Sequence, residues 1–218
     1  MQFRSVRRES RSSFFVLGIL NEYNGRGFLE GSDRLESFYC NEAKIAGLFK
    51  RTADALAREQ RLEPDIREEI VQGCLTDYYS RTLAPRVDSC YRYSLTREIQ
   101  AETPDGQLRR TASASLGGEL FTPPGAISGT RTARGLSDDL FLRRRALAYL
   151  AGAWARYGRG RDFVFSNARS KVDLIARLLV DLGCTNMRVE STVGLIPQGN
   201  AVHFEPTAEV TEWLQWSW

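Results

Sequence analysis

Apolar positions along the 218-residue chain fall into two blocks, and within each block helical spacing gives way to strand-like alternation and back. Phe14–Asn24 is a compact apolar run stopped by Gly25 and Gly27, which predicts a short helix. Arg34–Cys40 is rich in β-formers and predicts a strand. Asn41 is then placed to cap an amphipathic helix over Glu42–Gln60, with Ile45, Leu48, Phe49 and Leu56 on one side. The acidic segment Pro64–Gln72 predicts a short helix. Two strand-like runs, Ser89–Gln100 and Leu108–Phe121, flank the turn Thr103–Gly106, whose Pro-Asp-Gly chemistry predicts a β-hairpin.

Residues 122–135, rich in Pro, Gly and Thr, read as a linker. The opening order then recurs. Ser137, Asp138 and Asp139 cap a helix running to Tyr157 and ended by Gly158. A strand at Asp162–Ser166 and a helix at Arg169–Leu182, ended by Gly183, follow. Strands at Met187–Val193 and Ala201–Phe204 come next, and Pro206 opens a last helix to about Trp216. Residues 17–25 align with 150–158, and residues 38–49 with 164–176. A duplicated α/β unit is the economical reading, with a basic arm at 1–11, a first repeat at 12–121 and a second at 136–218. Ala148, Ala151, Gly152 and Ala155 form a small-residue stripe that lets helix backbones approach closely, and Gly18 is its counterpart. Two such helices side by side bring their carboxyl ends together at Tyr23/Asn24 and Tyr157/Gly158.

Several chemistries are excluded early. A single histidine, His203, rules out a two-histidine metal site, and it has no nucleophile beside it in sequence. Cys40, Cys74, Cys90 and Cys184 lack CxxC spacing and fit four buried thiols better than two disulfides. There is no phosphate-binding glycine loop and no apolar run long enough to span a bilayer. Asp138 and Asp139 read as helix caps rather than paired acids. Tyr78, Tyr79, Tyr91 and Tyr93 read as half-buried sheet aromatics rather than a base-stacking platform. Trp213, Trp216 and Trp218 read as covering a sheet edge.

The net charge of +3 conceals an unusual composition. Of 30 cationic residues only Lys44, Lys50 and Lys171 are lysines. Arginine presents a planar fork suited to phosphate or guanine. Arg143, Arg144, Arg145, Arg156, Arg159, Arg161, Arg169 and Lys171 lie in one stretch with Asp162 as its single acid, while acids gather at Glu59–Asp77 and Glu205–Glu212. This placement predicts a polyanion-facing surface carried by those eight side chains. The Arg- and Ser-rich amino end resembles an organellar transit peptide and is read here as a basic arm.

The nonapeptide at 150–158 matches the frame of the LAGLIDADG motif at Leu150, Ala151, Gly152 and Gly158, and the element order is similar to that superfamily. The pattern most resembles the LAGLIDADG-like domain of WhiA-type sporulation regulators, carried by residues 144–153, 162–166 and 171–183. It does not extend to their helix-turn-helix domain. The resemblance implies an α+β fold: a duplicated αββαββα saddle with pseudo-twofold symmetry in one chain. In the homing endonucleases the eighth motif residue is a carboxylate that holds Mg²⁺. Here it is Tyr157 in the second repeat and Tyr23 in the first; sliding the first repeat by one residue puts Asn24 there and Glu22 two positions earlier. A phenol with a pKa near ~10 is no substitute for an ionised carboxylate. Arg159–Ser166 is also too short for the two-stranded hairpin that reads DNA in the nucleases.

These features favour a non-catalytic LAGLIDADG-like nucleic-acid-binding protein: a transcription regulator, an intron maturase or a structural ribonucleoprotein component. Its expected partners are DNA or structured RNA, within a larger transcription or ribonucleoprotein complex and without a membrane. It would need no cofactor and would work in the cytoplasm or nucleoid, or in an organellar matrix. One alternative is an active or degenerate Mg²⁺-dependent homing endonuclease with Glu22 as its acid. Another is a protein-interaction scaffold.

Overall fold

A computed structural model describes residues 14–21, 33–71, 73–85, 101–102, 108–109, 140–166, 169–192 and 199–215. Its first helix, α1, covers residues 14–19 and buries Val16, Leu17, Ile19 and Leu20 at its end. β1 (Arg34–Tyr39) leads through a 3₁₀ turn, Cys40–Glu42, into α2 (Ala43–Glu59). α2 buries Ala46, Phe49, Ala53, Leu56 and Ala57, an apolar stripe with the spacing of one helical face. β2 (Arg67–Val71) and β3 (Leu75–Tyr79) form a hairpin, and β3 lies between β1 and β2 in an antiparallel sheet. Phe38, Phe49 and Tyr78 close the space between α2 and this sheet, with ring centroids 5.3–5.8 Å apart.

The second repeat shows the full αββαββα order. α3 (Leu140–Tyr157) is followed by β6 (Gly158–Arg159), β7 (Asp162–Ser166), α4 (Arg169–Asp181), β8 (Thr185–Ser191), β9 (Gly199–Glu205) and α5 (Ala208–Gln215). Its four strands run antiparallel in the order β6-β7-β9-β8. Phe163, Phe165, Val202 and Phe204 alternate inward, and Trp154 of α3 meets Phe163 edge-on at 4.9 Å. Within the first repeat's sequence range, β4 (Ala101–Glu102) pairs with β5 (Leu108–Arg109) on either side of the expected turn.

α1 and α3 touch backbone to backbone. A Cβ on Gly18 would stand 2.6 Å from the Ala153 nitrogen and closer still to the Tyr149 carbonyl oxygen. A Cβ on Gly152 would stand 2.8 Å from the Phe15 carbonyl carbon, with the Phe15 oxygen nearer. Ala148, Ala151 and Ala155 are buried along the same helix. The duplication also extends to the ends of the outer helices. α4 closes with Gly183 at φ +82°, Gly183 N–H donating to Val180 O and Cys184 N–H to Leu179 O. α2 closes with the same pair of bonds, Arg61 N–H to Arg58 O and Leu62 N–H to Ala57 O, but with Arg61 at φ +57° where the second repeat has glycine.

Six local expectations are corrected. Pro64–Gln72 is not a helix: residues 67–71 pair with β3, because the turn through Gly73 folds Val71 back opposite Leu75. α1 bends at Leu20 rather than continuing, and residues 22–24 lie outside the described residues. Asn41 does not cap α2; the Glu42 carboxylate takes the Tyr39 N–H, and α5 opens at Ala208 rather than Pro206, with Thr207 Oγ1 accepting the Val210 N–H. Residues 158–166 do form a hairpin, but one of two residue pairs, Gly158 with Phe163 and Arg159 with Asp162. The cysteines are not all buried: Cys184 is, whereas Cys40 and Cys74 are exposed. The basic arm, the 122–135 linker, Asp138, Asp139, Cys90, Tyr91, Tyr93, Trp216 and Trp218 lie outside the described residues.

Candidate nucleic-acid interface

The carboxyl ends of α1 and α3 meet in a buried polar junction. Helix ends leave carbonyl oxygens without an internal partner, and burial makes those oxygens costly unless donors reach them. Two cations of the second repeat do so for the first. Arg156 Nη1 donates to Ile19 O at 3.0 Å, and Lys171 Nζ donates to Leu20 O. Positive charge at this end also complements the α1 dipole. Arg156 Nη2 reaches Ser37 O at 3.0 Å, and its Nε reaches Glu42 Oε1 at 2.8 Å. Glu36 Oε1 stands 3.5 Å from Arg156 Nη1, while Glu36 Oε2 accepts the Asn21 N–H. The guanidinium also lies over Phe38, 4.4 Å from the ring centre.

Burial by itself would lower the Arg156 pKa, but Tyr157 and the Glu36 and Glu42 carboxylates raise it above the ordinary arginine value. The cation is permanent. Tyr157, at the motif's acid position, packs on Phe165 with centroids 4.8 Å apart, and the Lys171 amine lies 5.3 Å from its ring. A divalent metal does not fit these residues. The second repeat's position for an oxygen ligand holds a ring flanked by two buried cations, and the Glu36 and Glu42 carboxylates at the junction already serve Arg156. Among the described residues, no cluster of three or more His, Cys, Asp or Glu could hold a metal ion.

The predicted basic surface is dispersed. Arg156 is 4% exposed and Lys171 0%, so neither faces a polyanion. Arg143 Nε bonds Glu209 Oε2 of α5 at 2.7 Å, and Arg145 lies over Phe14 at 5.0 Å. Arg144 is half-buried on α3, and the Arg169 side chain lies outside the described residues. Arg159 and Arg161, at the β6–β7 hairpin, remain exposed. Arg159 faces Asp162 across the ladder. Asp162 in turn meets His203 Nδ1 at 2.9 Å on β9, where His203 is half-buried in the sheet. Tyr78 is fully buried in the core rather than half-buried, whereas Tyr79, on the opposite face, is half-buried with its hydroxyl donating to Asp77 at 3.2 Å. Trp213 packs partly buried against the core.

Sequence reasoning missed Glu36, Ser37 and Glu42 as members of the junction, and misplaced Arg156. A signal for Arg156 was present. Extending Ala148 and Gly152 by one further helical step of four lands on it, so it shares the face that meets α1. The contact fixes the register of the two helices at their crossing. One sequence offset relates Gly18 to Gly152 and Phe15 to Tyr149, so aligning 17–25 with 150–158 is off by one residue. Counted along the chain, this makes Tyr23 the counterpart of Tyr157.

No protein-family model matches the sequence, and no curated protein matches it. Solved structures do. A structure of mesophilic variants of the homing endonuclease I-DmoI shares 11% identity, with 95% of each chain covered and a TM-score of 0.50. A structure of I-DmoI in complex with DNA and Ca shares 12% identity over 91% of this chain and 84% of that one, at a TM-score of 0.46. The chain has the LAGLIDADG-like fold, a mixed helix and antiparallel-sheet architecture built twice. No helix among the described residues is long and apolar enough to cross a membrane.

Proposed function

We propose that this protein binds duplex DNA through its LAGLIDADG-like scaffold and does not cleave it with Mg²⁺. The observation that carries this reading is the Arg156 guanidinium, held between Glu36 and Glu42 where the central helices end. A permanent buried cation there opposes the approach of a divalent metal, and Tyr157 offers no carboxylate beside it. The fold, shared with a homing endonuclease, supports a nucleic-acid partner. A WhiA-type regulatory role, an RNA-facing maturase role or a place in a ribonucleoprotein would each use this scaffold without cleavage.

The homing-endonuclease reading rests on the same fold and on Glu22, next in sequence to the described end of α1. Binding to duplex DNA and to structured RNA across a salt series, with and without Mg²⁺, separates the readings. The expected result is salt-sensitive duplex binding with intact DNA. Site-specific double-strand cleavage that disappears in Glu22→Gln would establish the nuclease. Binding of structured RNA in preference to duplex DNA would replace the DNA partner. Binding to neither would leave a protein-interaction scaffold.

A further inference from the structure

We propose that Cys40 and Cys74 are a thiol pair that closes into a reversible intrachain disulfide. Tyr39 of β1 stands opposite Leu75 of β3, so the next rung sets Cys40 against Cys74. Their backbones are joined there, Cys40 N–H donating to Cys74 O at 2.8 Å. Opposed residues of an antiparallel pair project to the same face, with Cα atoms about 5.5 Å apart when hydrogen-bonded. That lies inside the ~4.4–6.8 Å a disulfide spans. Both thiols are exposed and unbridged, so a small oxidant reaches them, whereas Cys184 is buried.

The chemistry is two successive exchanges with a low-molecular-weight disulfide such as oxidised glutathione. One protein thiolate attacks the small disulfide, its S–S bond breaks, and a glutathione thiolate leaves. The second protein thiolate attacks the protein-bound sulfur of the mixed disulfide and displaces the other glutathione. Two protein thiols lose two electrons, oxidised glutathione gains them, and the two thiol protons pass to the departing thiolates. Cys40 also opens the turn whose Glu42 grips Arg156, so the bridge would tie that turn to the β2–β3 hairpin. The proposal is independent of the nucleic-acid reading.

The full chain is equilibrated in glutathione buffers of increasing oxidised fraction, its thiols are trapped by alkylation, and its peptides are mapped by mass spectrometry. The expected product is a single intrachain peptide pair joining Cys40 to Cys74, reversed by dithiothreitol. Cys40→Ser and Cys74→Ser should each abolish it and leave the remaining thiol glutathionylated, while Cys184→Ser leaves it unchanged. Separate glutathione adducts on Cys40 and Cys74 in the unaltered protein, a bridge to Cys90, or a bridge between two chains would overturn the proposal.

Discussion

Gly18 of α1 and Gly152 of α3 sit at one backbone crossing, each beneath a carbonyl of the other helix, Tyr149 O over Gly18 and Phe15 O over Gly152. The reciprocity marks a local twofold axis between the repeats. Carried along the sequence, the offset of the two glycines pairs Tyr23 with Tyr157, so by sequence count both motif-acid positions are tyrosines.

A methyl group at either glycine must push backbone rather than a movable side-chain tip. Gly18→Ala and Gly152→Ala should each destabilise by about 1–3 kcal/mol or more in denaturant unfolding. Gly47 is the internal control: its Cβ would meet only Arg51 Nη1, at 3.5 Å, on the helix α2. Gly47→Ala should stabilise by about 0.5–1 kcal/mol. Equal effects at the three positions would refute the close crossing.

Arg156→Met keeps much of the side chain's bulk but leaves the Glu36 carboxylate, 3% exposed, without its cation. Removing one member of a buried pair costs about 3–5 kcal/mol. Adding Glu36→Gln and Glu42→Gln to that variant should recover a large part of the loss, since no uncompensated charge then remains. A cost below about 1 kcal/mol for Arg156→Met alone would show that the junction is solvated.

How much of this was legible in the sequence depends on the range of the interaction that decides each feature. The α1–α3 pairing was legible because Gly152 and its neighbouring alanines announce it within two helical turns. α4 and its stop at Gly183 were legible for the same local reason. β2 was not, because Arg67, Glu68 and Glu69 favour helix or solvent on their own, and only the ladder to β3 makes the segment a strand. The fate of the basic stretch was also hidden. Arg156 and Lys171 are buried by partners more than a hundred residues earlier, Ile19 and Leu20, which the local charge run does not contain.

Arg61 holds a left-handed conformation that its counterpart Gly183 adopts without a Cβ. The strain for a non-glycine residue is about 1–2 kcal/mol, partly offset in a glycine variant by greater unfolded-chain entropy. Arg61→Gly should therefore raise stability by about 0.5–1 kcal/mol in chemical denaturation. A loss of stability would show that the Arg61 side chain contributes more than its backbone strain costs.

Asp65 gives the acid limb of the stability profile a definite sign. Burial works to raise its pKa, but hydrogen bonds from the Ser80 and Thr82 hydroxyls and the Thr82 and Arg81 N–H groups outweigh it and hold the pKa below 3.8. A carboxyl depressed on folding contributes stability that is fully present above the unfolded pKa of about 3.9 and is lost as pH falls through the folded value. Asp65→Asn should be less stable at pH 7 and show a flatter decline between about pH 5 and 2 in thermal melts. An unchanged acid limb would mean that these hydrogen bonds do not depend on the charge.

Among the described residues, Arg159 and Arg161 are the exposed members of the basic stretch, with Arg159 Nη1 donating to the Arg156 and Gly158 carbonyls. Arg156 and Lys171 belong to the core, and Arg143 belongs to Glu209. If the duplex lies across this end of the second sheet, its phosphates meet Arg159 and Arg161 first. Each phosphate contact displaces condensed counterions and steepens the log–log salt dependence of affinity by about 0.9 on duplex DNA. Arg159→Ala with Arg161→Ala should weaken binding by a similar factor across sequences and flatten the slope by ~1–2. Glu212→Gln on α5 should leave the slope unchanged. Glu212→Gln should unfold at the same denaturant concentration as the parent, whereas the arginine double variant also loses the Arg159 Nη1 bonds to the Arg156 and Gly158 carbonyls at the end of α3, so its unfolding is measured alongside its binding. An unaltered slope in the arginine double variant would place the duplex elsewhere on the molecule and leave this hairpin as solvated surface.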